Sequence, residues 1–108
     1  MPEAISNTSP MLYLYRINAL DWLPELFSEI SIPNAVVLEL GEGQHRGYDV
    51  PVLSGYAWLQ IVEPQSIPPE LTTLDLGMGE LAALALALET PNRIVLIEST
   101  AQIVEIAV

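Results

Sequence analysis

Apolar residues occur along this chain in short unbroken runs separated by polar punctuation. Ala4-Ile5, the stretch 29–32 and the stretch 58–62 are too short for helices and predict strands. Arg93 to Ile97 predicts another, and its run Ile94-Val95-Leu96-Ile97 is continuous, as a parallel strand covered on both faces requires. Between them lie segments with helical character. Met11 to Ile17 predicts a first helix, with Ser9 as N-cap and Pro10 at the first helical position. A second is expected over Leu20 to Phe27, with Asp21 near its start. Pro33 opens a third over Asn34 to Leu40, which Gly41 and Gly43 terminate. Glu42 to Ser54 reads as an exposed loop, and 67–73 as a proline-broken connection or a short helix.

Gly77-Met78-Gly79 opens the strongest helical segment, Glu80 to Glu89. Its middle, Leu-Ala-Ala-Leu-Ala-Leu-Ala-Leu, is apolar on every side, which predicts a buried helix. Thr90-Pro91-Asn92 breaks it. A last helix is expected from Ser99 to the final residue. Strands and helices alternate throughout, so the pattern predicts one α/β domain over residues 1–108 with a parallel sheet. The expected last helix stays apolar to Val108 without a capping Gly, Asn or basic residue, and so reads as cut short.

Composition narrows the function classes. The chain lacks cysteine and has one histidine, His45, which removes disulfides, thiolate zinc sites and Cys-His nucleophiles. Fourteen acidic residues face three arginines and no lysine, a net charge of −11. That balance repels phosphate backbones, so any nucleic-acid function needs a bound cation or a basic partner. Met1-Pro2-Glu3 lacks a basic signal-peptide start, and the run Leu81 to Leu88 is too short to cross a bilayer. The expectation is a cytoplasmic protein with no membrane association.

Candidate chemistry rests on four oxygen-bearing side chains. Asn7 follows the first strand, in Asn7-Thr8-Ser9-Pro10, and Glu98 ends the last apolar strand. Ligands of open parallel sheets are held at such carboxyl ends. Glu39 borders the apolar face of its helix, and Glu80 lies in the first turn of an otherwise apolar one. Converging carboxylates repel one another unless a cation joins them, and hard cations such as Mg²⁺ or Mn²⁺ prefer oxygen ligands. Each residue also has a simpler explanation. Asn7 fits a helix cap, Glu80 complements the helix dipole, Glu39 fits a solvated surface beside Glu42, and Glu98 an exposed neighbour of an N-cap. A competing pattern, Gly77-x-Gly79-x-x-Ala82 with Glu98 about twenty residues on, matches a dinucleotide-binding turn. The weak strand before it and the short chain after it argue against that.

These residues together resemble the PIN-domain superfamily of metal-dependent ribonucleases, and within it the PIN-like branch with an Asn-Thr-Ser-Pro opening, related to toxins of toxin–antitoxin modules. The resemblance is carried by Ser6-Asn7-Thr8-Ser9-Pro10, the helix pair reaching Leu26-Phe27, Ile32-Pro33-Asn34-Ala35-Val36 through Glu39, Gly79-Glu80-Leu81-Ala82-Ala83-Leu84-Ala85 and Val95-Leu96-Ile97-Glu98. It implies a three-layer domain with a central parallel sheet. Catalytic acids fall on Glu39, Glu80 and Glu98, and Mg²⁺ or Mn²⁺ is held by these and Asn7. Single-stranded RNA is the implied substrate and a small basic antitoxin the implied partner. Two positions depart from the usual pattern, Asn7 for Asp and Glu98 for Asp, and the family's last strand and helix are expected to be missing.

Three functional expectations follow. The first is a toxin-type ribonuclease whose site is weakened by Asn7. The second is a non-catalytic interaction module on the same fold, binding an antitoxin-like partner through the first helices. The third and weakest is a nucleotide-binding α/β fragment. An uncovered sheet edge would also favour homo-oligomers.

Overall fold

Four of the apolar runs pair side by side through their backbones. In the computed structural model, which describes the backbone of residues 2–99 and 102–107 and the side chains of residues 2–97, β1 (Glu3–Ser6), β2 (Glu29–Ile32), β3 (Leu59–Ile61) and β4 (Ile94–Ser99) form a parallel array. The order across the sheet is β3-β2-β1-β4-β5, with β5 (Gln102–Ala107) running antiparallel along β4. The chain thus builds outward from β1 to β3 and then returns to place β4 on the other side of β1. Between β1 and β4 lies the switch point where open α/β sheets hold ligands.

β5 overturns the expected final helix from Ser99 onward. Ile103, Val104 and Ile106 are β-branched, and β-branched residues favour a pleated strand over a helix. The free edge of β4 also offers a full row of backbone partners, from Ser99↔Gln102 to Ile94↔Ala107.

Alternation along each strand divides two cores. Ala4 of β1, Ile30 and Ile32 of β2 and Leu96 of β4 face a cluster with Met11, Leu23, Phe27, Val36 and Leu40. That cluster lies under α1 (Thr8–Arg16), α2 (Trp22–Leu26) and α3 (Asn34–His45). Ile5, Val95 and Ile97 face the opposite way, onto Ala83, Leu86 and Ala87 of α5 (Met78–Glu89). The result is the expected three-layer arrangement, helices on both faces of a parallel sheet. Full burial of residues such as Ile5, Ile30 and Leu86 contributes roughly 1.5–3 kcal/mol each, before chain entropy is subtracted. The alanines of α5 keep that helix close to the sheet, yet Met78 and Leu88 are 67% and 62% exposed. Its apolar character all round therefore does not make it buried all round.

Helix ends also differ from expectation. α3 continues through Gly41 and Gly43 to His45, although each interior glycine costs about 1 kcal/mol relative to alanine. It stops at Gly47, whose φ of +89° supplies the left-handed residue of a Schellman motif. There the Gly47 N–H donates to Gln44 O and the Tyr48 N–H to Gly43 O. Asn18, at φ 59°, ends α1 in the same way, its N–H donating to Tyr15 O and that of Ala19 to Leu14 O. The connection at 67–73 contains one short helix, α4 (Pro69–Thr72). Among the described residues no helix is long and apolar enough to cross a membrane.

Candidate metal centre at the carboxyl edge

Asn7 stands where β1 becomes α1. Its backbone is extended and its N–H donates to Leu96 O at 3.3 Å, carrying the β1–β4 pairing one residue beyond the strand. It is also the N-cap of α1, two residues earlier than the Ser9 expected, with Pro10 inside the first turn, where a missing N–H costs nothing. An N-cap asparagine ordinarily accepts a backbone N–H of that first turn through its side chain. This one makes no such bond. Asn7 is only 2% exposed, and its Oδ1 has no hydrogen-bond partner among the described residues. The neighbouring Thr8 Oγ1 is buried and unpartnered too.

A buried oxygen without a donor costs about 1–3 kcal/mol, so two in succession at one strand end call for an explanation. Simple capping does not supply it. A cation fits: both atoms are hard oxygen donors, and coordination would replace the missing hydrogen bonds.

The carboxylates occupy the elements around this edge. Glu39 lies in the middle of α3, which packs on both α1 and α5. Its side chain is exposed at the border of the buried face that carries Val36 and Leu40. The desolvation argument for a buried carboxylate therefore does not apply to it. The carboxylate nevertheless lies against the backbone of Gly79 in the first turn of α5, in a space that Thr8 Oγ1 also borders. Glu80, half-buried, is the next residue of that turn. Both acids thus sit at the positive end of the α5 dipole. Glu98 falls within β4; in register with Ser6↔Leu96, two further residues bring β4 to Glu98 and the chain after β1 to Thr8. Its side chain lies outside the described residues. Among the described residues no three acidic or histidine side chains form a metal-holding group.

Two depressions meet at Glu39. One, of about 240 Å³, is lined by Thr8, Leu12, Arg16 and Tyr48 together with Glu39. The other, of about 540 Å³, runs past Leu38, Glu42, Arg46 and Met78. Arg46 is bonded to Glu42 at 3.0 Å and Arg93 to Glu3 at 3.0 Å, which leaves Arg16 as the arginine without an ion-pair partner among the described residues.

Thr8, Gly79 and Arg16 were not among the site residues singled out by pattern. The hydroxyl following Asn7 was a signal for Thr8. Gly79 stood in a glycine pattern that suggested a different role, and nothing in a single sequence points to Arg16, because their significance lies in what α3 and α1 bring beside them. The dinucleotide pattern loses its context, since α4 and a turn, not a strand, precede Gly77. His45 is exposed at the end of α3, not in a loop.

Comparison with known proteins agrees with this architecture. No curated protein and no solved structure matches the chain. The sequence profile of a family described as a PIN domain matches residues 3–103, from the first residue of β1 into β5. With a match over nearly its whole length, and a parallel three-layer fold to accompany it, the chain belongs to the PIN-domain family.

Proposed function

We propose that this protein is a Mg²⁺- or Mn²⁺-dependent ribonuclease of the toxin type, acting on single-stranded RNA, with a site weakened by Asn7. PIN domains generally use these ions. The observation that carries the reading is the buried, unpartnered Oδ1 of Asn7 at the switch point of the sheet, with Thr8 Oγ1 beside it.

In this reading Glu39, Glu80 and Glu98 are the anionic ligands and Asn7 Oδ1 the neutral one. A bound divalent ion supplies charge neutralisation of the phosphodiester and activation of water. The chain's own residues set the balance around it. Three carboxylates carry three negative charges, so a divalent ion leaves about one, and a fourth carboxylate at position 7 would leave about two. Asn7 therefore lowers repulsion of the substrate phosphate and also weakens the hold on the cation. Arg16 lines the same depression as Thr8 and Glu39, and in this reading it meets a phosphate oxygen. A single arginine without an ion-pair partner among the described residues, on so acidic a chain, predicts weak, salt-sensitive RNA binding.

A second reading, a PIN-fold interaction module, is favoured by one observation. Tyr13, Ile17, Trp22 and Leu26, all on or beside α1 and α2, are large apolar residues more than half exposed. Together with the net charge of −11, they suit a small basic partner with an apolar face, such as an antitoxin. Calorimetric titration with Mn²⁺, followed by cleavage of a single-stranded RNA with and without chelator, separates the two readings. Saturable binding at one site with chelator-sensitive cleavage supports the nuclease. Absence of any metal binding removes it and leaves the interaction module.

A further inference from the structure

Gly79 occupies the second position of α5, where the backbone is helical and no positive φ requires a glycine. Alanine is the better helix former by about 1 kcal/mol, so helix propensity does not account for it. Space does. A Cβ built on Gly79 would collide with Glu39 Oε1 and come within 3.3 Å of Glu39 Cδ and 3.0 Å of Thr8 Oγ1. No other glycine in the described chain meets a neighbour so closely. A Cβ at Gly43 would find Val50 Cγ1 at an ordinary 3.4 Å, and at Gly41 or Gly77 it would find nothing within 4 Å.

We propose that Gly79 is a positioning residue: its bare α-carbon is the seat on which the Glu39 carboxylate rests, directed by α5 toward Thr8 and Asn7. The inference deepens the ribonuclease reading and rests on it for the purpose of the seat, although not for its existence. Glu39 is otherwise an exposed side chain with several rotatable bonds on the surface of α3. Left free, it would lose side-chain entropy on capturing a cation. The wall formed by Gly79 and Thr8 removes most of that freedom beforehand. Any side chain at position 79 fills the volume that the carboxylate uses, and pushes the ligand out toward solvent. Shortening the acid by one methylene withdraws it from that volume.

The test is a cycle of Gly79→Ala, Glu39→Asp and the double variant, with Gly41→Ala as control. In metal-free protein, Gly79→Ala lowers Tm only slightly, by about 1–2 °C, because the colliding Glu39 Oε1 ends an exposed, flexible side chain that can swing into solvent, and Glu39→Asp in the same chain restores part of that loss. Gly41→Ala, with open space around it, raises Tm. Titrated with Mn²⁺ alone, Gly79→Ala binds about tenfold more weakly than wild type. The double variant binds no worse than Glu39→Asp by itself, and Gly41→Ala binds like wild type. Should Gly79→Ala fail to fold, recovery of the fold by Glu39→Asp still identifies the collision. Equal Tm and equal Mn²⁺ affinity for wild type and Gly79→Ala would overturn the proposal, as would a double variant no better than Gly79→Ala. A wild type that binds no Mn²⁺ sinks the nuclease reading alone, because the metal-free cycle still reports on the seat.

Discussion

The two edges of the parallel sheet carry polar side chains of similar kind and treat them in opposite ways. At the amino edge Glu3 begins β1 and Arg93 precedes β4. The two are joined at 3.0 Å, and the same guanidinium donates to the buried Ser31 Oγ at 3.3 Å. All three of these groups have a partner within the chain. At the carboxyl edge of the same two strands Asn7 Oδ1 and Thr8 Oγ1 have none among the described residues, and the first turn of α5 leaves room for a carboxylate instead of filling it. One edge is complete as folded. The other keeps two buried oxygens without a partner among the described residues, and such groups call for an explanation.

Breaking the carboxyl edge at its anionic ligand should have the largest effect. Glu39→Gln keeps shape and removes one charge facing the ion, worth roughly 4 kcal/mol at 4 Å in an effective dielectric near 20, before desolvation and relief of repulsion are subtracted. A net loss of about a hundredfold in Mn²⁺ affinity is expected, with little change in Tm because the residue is exposed. Calorimetry showing unchanged affinity would remove Glu39 from the site.

Asn7→Asp sharpens the contrast, since it should act with opposite signs in two conditions. Without metal, a carboxylate in a position 2% exposed has no counter-charge and lowers stability. With Mg²⁺ or Mn²⁺ it adds a charge facing the ion and raises affinity by about tenfold, or 1.4 kcal/mol. Glu98→Gln in that background should reverse the gain. If the three proteins bind alike, Asn7 is no ligand.

At the amino edge the same logic predicts a purely structural response. Arg93→Met leaves Glu3 and Ser31 without their partner and costs about 1 kcal/mol, a modest figure because the Glu3 side chain is 42% exposed. Urea unfolding should register that loss while Mn²⁺ affinity stays within twofold of wild type. A large change in metal binding would mean that the edges are coupled and the comparison false.

The smallest effect concerns neither edge and serves as a baseline. Tyr15 donates to Asp49 Oδ1 at 2.8 Å, tying α1 to the loop after α3. That bond to a carboxylate, with some burial and the negative charge of Asp49, raises the phenol above its usual range. A raised value means that the folded chain holds the proton more tightly than the unfolded one. The stabilisation is thus full below the ordinary tyrosine value near 10 and is lost as pH rises through the folded value. Tyr15→Phe should be slightly less stable than wild type at pH 8, and the gap should close above pH 10. A gap independent of pH would mean that the hydrogen bond contributes nothing.

Much of this molecule was decided by local pattern. Apolar runs specify β1 and β4, because a strand covered on both faces has no polar side to show. Proline at 33 and the alanine-rich run after Gly77 specify where α3 and α5 begin. Asn7, Glu39, Glu80 and Glu98 stood out because polar atoms at the ends of apolar elements are conspicuous against such a background. Local pattern could not decide where α3 stops, since a glycine ends a helix only if its backbone turns left-handed, and Gly47 does so where Gly41 and Gly43 do not. It could not decide that residues after Ser99 form a strand, because that depends on the free edge of β4, a partner remote from any helix propensity. Nor could it reveal that the Asn7 side chain makes no capping bond or that Gly79 makes room for Glu39. Those are features of segments 71 and 40 residues apart, Thr8 or Glu39 and Gly79 of α5, that meet only once the sheet has ordered its strands. Chemistry at this edge is a property of juxtaposition: the sequence lists the oxygens, and tertiary packing determines which of them are left without a partner.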